Sequence, residues 1–172
     1  MMKTIPTKIN KYNVYRGGNR LLGVGEELTL PDFEALSETV SGAGLLGEIE
    51  DPTVGAFGNM EQEVPFRLLD EDAFDMMDMT KAVDLEIRGA AQTLNSTGDI
   101  EFVPVRVVLR GRCKKLGGGK LKAGSPMDSG VTLTVLYILI EVDGSPMVEL
   151  DKINERFKVR NVDVLAKIKE MC

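Results

Sequence analysis

The stretch VTLTVLYILIEVDG, Val131 to Gly144, constrains the fold more than any other part of the chain. Its first half alternates apolar residues with threonine, as a strand with one wet face does. From Val135 to Ile140 every residue is apolar or aromatic, so both faces of the strand require cover. Burying the extra side chains is worth on the order of 1.5 to 3 kcal/mol each, and leaving them in water invites aggregation. Two sources of cover are open: an internal helix, with 72–79 the candidate, or an identical neighbouring chain.

The rest of the sequence reads mostly as alternating strands. KYNVYRGGNRLLGVGEELTL predicts a β-hairpin turning at Arg16-Gly17-Gly18-Asn19, and Pro31 closes it. In 59–69, Met60, Val64, Phe66 and Leu68 oppose Glu61, Glu63 and Arg67. In 83–93, Val83, Leu85, Ile87 and Ala91 oppose Asp84, Glu86, Arg88 and Gln92. EFVPVRVVLRGRCKKL alternates too, with Pro104 predicting a break or a sheet edge. Asp143-Gly144 signals a tight hairpin, with SPMVELDKI returning. Two pieces follow helical spacing: DEDAFDMMDMTKA predicts a helix near 71–80 with acids at its start, and VDVLAKIKEM a short one at the end. Between strands, SGAGLLGEIEDPTVGAFGN carries five glycines and a proline with weak periodicity. It predicts a long functional loop over 42–58 whose apolar members become ordered against another surface. The fold class is mostly β: a β-sandwich or partly closed barrel with one or two short α-helices, in one domain over 1–172.

Composition removes whole function classes. The 172 residues include no histidine, which excludes Ser-His-Asp and Cys-His catalysis and the commonest metal ligand. The net charge of −6 argues against a protein that grips nucleic acid phosphates. Cys113 and Cys172 make no disulfide framework, which suits a reducing compartment. The first fifteen residues lack the apolar block of a secretory leader, and no apolar run approaches a membrane span. GGNRLLGVG and GGGK have neither the spacing nor the strand-loop-helix setting of a phosphate-binding loop. The acids of DEDAFDMMD lack the glycine and closing glutamate of a calcium loop and read as helix-start acids. The basic set from Arg106 to Lys122 has no interleaved aromatic platform, so its expected partners are carboxylates across a sheet or on a neighbouring copy. No catalytic residue, metal site or cofactor is expected.

In order and spacing, LTLP (Leu28 to Pro31), SGAG (Ser41 to Gly44), VVLRGRCKKL followed by GGGKLKAG, and VLYILIEVDGSPMVELDKIN followed by VRNVDVL resemble the major tail tube proteins of contractile-tailed bacteriophages, and with them the tube subunits of R-type bacteriocins. The resemblance covers nearly the whole chain. One departure is Arg160-Asn161, where such proteins usually carry Asn-Gly; Asn161 still tolerates the left-handed conformation.

The resemblance implies a structural, non-enzymatic subunit, located in a virion tail or tail-like particle. It implies hexameric rings that stack into the inner tube of a contractile tail and serve as a conduit for DNA or for envelope puncture. Implied partners are further copies of the chain, a sheath protein, and baseplate and tail terminator proteins, with DNA passing unbound and no membrane contact by the subunit. The stacking loop maps onto 42–58, with Gly44, Leu45, Leu46, Ile49, Val54 and Phe57 as contact residues. Inter-subunit packing maps onto Val135, Leu136, Tyr137, Ile138 and Ile140. The wet-face acids Glu61, Glu63, Asp84 and Glu86 are lumen candidates, forming an acidic wall that repels phosphates. The alternatives are a type VI secretion-like tube subunit and a small β-barrel binding module.

Overall fold

The computed structural model describes residues 4–172; the first three residues of the stretch read for a leader lie outside it. Eleven strands and two short helices follow one another among the described residues. They are β1 (Ile5–Arg16), β2 (Asn19–Arg20), β3 (Ala35–Val40), β4 (Ile49–Phe57), β5 (Glu61–Phe66), α1 (Glu71–Asp75), β6 (Val83–Leu94), β7 (Ile100–Gly117), β8 (Ser129–Val142), β9 (Ser145–Asp151), β10 (Arg156–Val159), β11 (Val162–Asp163) and α2 (Ala166–Met171). The main sheet runs β11-β10-β9-β8-β7-β6-β1-β2, with β5 also on β8, and every pairing is antiparallel. β3 and β4 form a separate two-stranded sheet.

The main sheet curls back on itself. Past the β1–β2 turn the chain bonds to the free edge of β5: the Gly25 amide donates to the Pro65 carbonyl (2.9 Å) and the Arg67 amide to the Gly23 carbonyl (2.9 Å). The Leu21 amide donates to the Val14 carbonyl of β1 (2.8 Å). The circuit β1-β6-β7-β8-β5 therefore closes through residues 21–25, and the mostly β, partly closed barrel with two short helices is what the alternation calls for. Val14, Val64, Phe66, Leu85, Leu109, Leu133 and Ile138 fill its interior.

The doubly apolar strand has a local explanation. Gly111 of β7 pairs with Val135 and Arg110 with Tyr137, so Leu136 is an extra, bulged residue. The bulge resets the alternation: Val131, Leu133, Val135 and Ile138 all point into the core at 2% exposure or less, and Ile140 packs against it. A run that reads as apolar on both faces is largely one inward face with a parity shift. Only Tyr137 and Leu139, with the bulged Leu136, stay half-buried on the other side. Gly111 is what lets the strands approach there, since a Cβ on it would lie 2.5 Å from the Thr134 carbonyl oxygen.

An internal helix is not the cover for that second face. α1 drops Ala73 and Met76 into the barrel core, both fully buried, while Phe74 and Met77 are exposed. It is also shorter than 71–80. Asp70 caps it by accepting from the Ala73 amide (3.1 Å), and Asp78 then captures the Thr80 amide and hydroxyl in a turn that stops it. Pro104 neither breaks nor edges β7. Its carbonyl accepts from the Asp143 amide, so its missing N–H would point to the side where β8 has already turned, and no ladder bond is lost.

Candidate functional site

Two surfaces stand apart from the core: the polar face of the main sheet, and the β3–β4 hairpin. Strand pairing builds the first by bringing side chains of alternate position from neighbouring strands into rows. One row reads Arg88, Glu86, Arg106, Glu141. The Glu86 carboxylate accepts from Arg88 Nε (2.6 Å) and Arg106 Nε (2.7 Å), and Arg106 Nη1 reaches Glu141 (2.7 Å). The hydrogen bonds from Arg88 and then Arg106 hold the Glu86 carboxyl down to about 2. Arg88 also stands 4.4 Å over the Tyr15 ring. In the next rows Arg110 donates to Asp84 (2.7 Å), Lys114 pairs with Glu61, and Arg156 and Tyr137 both reach Glu149 (3.2 Å each). Burial and the Glu149 charge raise the Tyr137 phenol above its ordinary value.

The structure therefore sets all four lumen candidates, Glu61, Glu63, Asp84 and Glu86, on one sheet face, since Gln62 and Val64 of β5 point the opposite way and are buried. It also gives three of them a cation. The acidic wall expected from the sequence is instead a ladder of alternating charge, because the register of β6, β7 and β8 places an arginine or lysine beside each of those acids. Of the basic set from Arg106 to Lys122, Arg106, Arg110 and Lys114 find carboxylates across the sheet, as cross-strand pairing favours, and Lys120 pairs within its own loop, while Arg112, Lys115 and Lys122 have no carboxylate partner among the described residues.

The second surface replaces an irregular loop with a hairpin. Residues 42–58 include all of β4, whose outer part pairs with β3 (Val40 with Ile49, Ser37 with Pro52), leaving 41–48 as the connecting tip. At the base Ala35 pairs with Phe57, and residues 53–56 loop out around Gly55, which sits at φ 79°. The Gly58 amide donates to the Glu34 carbonyl (2.9 Å) and Lys152 Nζ to the Gly58 carbonyl (2.8 Å). Phe57 belongs to this anchor and not to the tip, stacking edge-on between Phe33 (6.1 Å) and Phe157 (5.0 Å). The other contact candidates are solvent-facing: Leu45, Ile49 and Val54 are 40 to 55% exposed and Leu46 wholly so. Leu36 and Val40, which the sequence reading left out, join them on β3. Of the packing candidates, Val135 and Ile138 lie inside the chain's own core at 2% and 0% exposure, so no neighbour is needed to cover them.

Charge separates along the chain as well. From Leu21 to Phe66 there are ten Asp or Glu and no Lys or Arg; set against the whole-chain −6, the remaining residues carry +4. From Phe102 to Met127 there are seven Lys or Arg and no acid. The hairpin lies wholly within the acidic segment. Among the described residues no cluster of His, Cys, Asp or Glu could hold a metal ion, and no helix is long and apolar enough to cross a membrane.

The chain is similar to known proteins in both fold and sequence. The fold resembles that of the sheath/tube terminator in the cryo-EM structure of an extracellular contractile injection system, PVC, in its extended state. That similarity has a TM-score of 0.53 at 12% identity, over 79% of this chain and 96% of that one. The sequence is 31% identical over 170 residues to the tail tube protein of Escherichia phage P2, covering 94% of both chains. The family model for phage tail tube protein FII matches residues 6–171. Over essentially its whole length, the chain belongs to the phage tail tube protein FII family.

Proposed function

We propose that this tail tube protein closes into hexameric rings whose polar sheet faces line a lumen, and that the β3–β4 hairpin joins each ring to the next within a contractile sheath. The observation that carries the reading is the hairpin. Its outer residues, the tip 41–48 and the start of β4, are exposed throughout, yet they present Leu45, Leu46 and Ile49, which an isolated subunit would shield from water. Ring closure also removes the sheet edge at β11 that a lone copy leaves open. The ladder of ion pairs suits a conduit wall in a different way from uniform negative charge. Cations already held by Glu86, Asp84 and Glu141 are poor anchors for passing phosphates, and the paired acids offer little net repulsion. DNA would slide past a surface whose field is largely cancelled at short range.

The test is assembly. Purified protein should form rings or tubes in negative-stain micrographs, and a variant lacking 44–56 should stay folded while losing stacking. A wild-type protein that remains strictly monomeric at high concentration would count against the ring, and tubes formed by the deletion variant would remove the hairpin from the joint.

A further inference from the structure

The two ends of β5 differ in what they offer. At its start, Asn59 and Met60 follow directly from the hairpin base. At its end, the Arg67 carbonyl accepts from the Met127 amide (2.7 Å) and the Arg67 amide donates to the Gly23 carbonyl (2.9 Å). These bonds fix loop 118–128 and residues 22–23 beside it. The six residues of β5 separate the hairpin base from this loop cluster by about 20 Å, so the two lie at opposite ends of the barrel. The cluster encloses an open groove whose apolar wall is Leu22, Leu68 and Pro126 and whose polar lining is Arg67, Ser125 and the helix-capping Asp70. Leu22 and Leu68 are 68% and 58% exposed, and Leu121 on the adjoining turn is 90% exposed.

The charges at this end are unevenly committed. Asp72 and Asp75 are held by Arg16 (3.0 and 2.9 Å), Asp78 by Thr80 and Lys81, and Asp70 by its cap on α1. Lys120 pairs with Asp128 (3.0 Å). Arg67 and Lys122 remain as the cations beside the groove without an ion-pair partner among the described residues. The loop itself is built, not loose: Lys120 donates its amide to Met127 (2.8 Å) and Ser125 to Lys122 (3.2 Å).

Resting on the tube reading above, we propose that this groove receives the β3–β4 hairpin tip of the copy in the adjoining ring. Leu45 and Leu46 enter between Leu22, Leu68 and Pro126, and Glu48 and Asp51 meet Arg67 and Lys122. Apolar tip meets apolar groove and an all-acidic segment meets uncommitted cations. The two surfaces are different patches at opposite ends of one chain, which is the condition for a contact that repeats without closing and so grows a filament. Matched charge would set the register and speed of docking, with the leucines supplying the adhesion.

The experiment uses the full-length protein in three forms: Arg67→Glu with Lys122→Glu, Glu48→Lys with Asp51→Lys, and all four changes together. Each pair alone should leave single rings intact while raising the protein concentration needed for tubes at least tenfold, read by sedimentation and negative stain. The fourfold variant should recover tubes, which also shows that the pairs fold. Tubes of normal length from the Arg67→Glu, Lys122→Glu protein would overturn the groove assignment with the tube reading intact. Loss of tubes that the fourfold variant does not restore would overturn the pairing of these charges. Absence of rings from the wild type would remove the tube reading and this inference with it.

Discussion

Replacing Gly111 with alanine tests the reading of the β7–β8 bulge. The added methyl would sit 2.5 Å from the Thr134 carbonyl oxygen, 3.2 Å from its carbon and 3.3 Å from Leu133 Cβ. A carbon tolerates a carbonyl oxygen at about 3.3 Å, so one backbone must retreat by roughly 0.8 Å. Neither is free to do so, because β7 is hydrogen-bonded to β6 on its other edge, with Val83 opposite Gly111, and the site is buried. Overpacking of this kind costs about 1–3 kcal/mol, and a fixed backbone on both sides puts this case near 3 kcal/mol. For a chain of this size that is a fall in Tm of about 6–12 °C. The control is Gly118→Ala, where a Cβ meets open space and φ is not positive; its Tm should hold or rise slightly. Both are read by far-UV circular dichroism at one protein concentration too low for assembly, since association would itself raise Tm. A Gly111→Ala protein melting within about 2 °C of wild type would mean that the strands are not closely apposed at the bulge, and the parity argument for Val131 to Ile140 would fall with it.

Glu86 titrates with its folded carboxyl depressed to about 2, so its contribution is fully present above the unfolded value near 4.5 and is lost as pH falls through the folded one. With the arginines half exposed, screening leaves about 1–2 kcal/mol, and urea midpoints for wild type and Glu86→Gln should differ at pH 7 and converge toward pH 2; a constant gap across that range would refute the coupling. Arg160 sits at φ 48° as the first of two left-handed residues in the β10–β11 turn, a conformation costing a non-glycine residue about 1–2 kcal/mol. Arg160→Gly should therefore stabilise by about 0.5–1 kcal/mol in denaturant melts, and a destabilisation would show that the side chain holds the turn by other means. Phe57→Ala should lower stability by about 3 kcal/mol and loosen the hairpin base, read as faster amide exchange at Gly58; unchanged exchange would separate the aromatic cluster from hairpin anchoring.

Most strands were legible because one face of each is buried, and alternation at Met60 to Phe66, Val83 to Ile87 and Val107 to Leu109 records that burial directly. What escaped has physical causes. The bulge at Leu136 escaped because an inserted residue and a two-faced strand leave the same apolar run; the available signal was Gly111, a glycine inside the facing strand. β4 read as loop because both faces of the hairpin are wet, so no alternation exists, and Pro52, Gly55 and Gly58 punctuate it. α1 read long because Met77 and Met79 continue the helical spacing, while the side chain of Asp78 ends it. The lumen candidates were recognisable as one polar face, but their partners were not. Glu86 meets Arg106 across strands and twenty positions away, a pairing set by register that no single strand reveals.

That register gives a physical basis for dividing the chain's charge into two kinds. On the sheet, Arg88, Glu86, Arg106 and Glu141 satisfy one another within the subunit, so folding already collects whatever their attraction is worth and nothing is left for a passing polyanion or a neighbour to gain. On the hairpin, Glu48 and Asp51 stand in a segment with no base at all, so their attraction becomes available only when another surface supplies the cations. Charge cancelled inside the fold makes a surface indifferent, and charge left uncancelled makes a surface selective. On the proposed assembly the first lies where cargo must slide and the second where rings must join. Moving one acid from the hairpin to the sheet would weaken both roles while leaving the net charge unchanged.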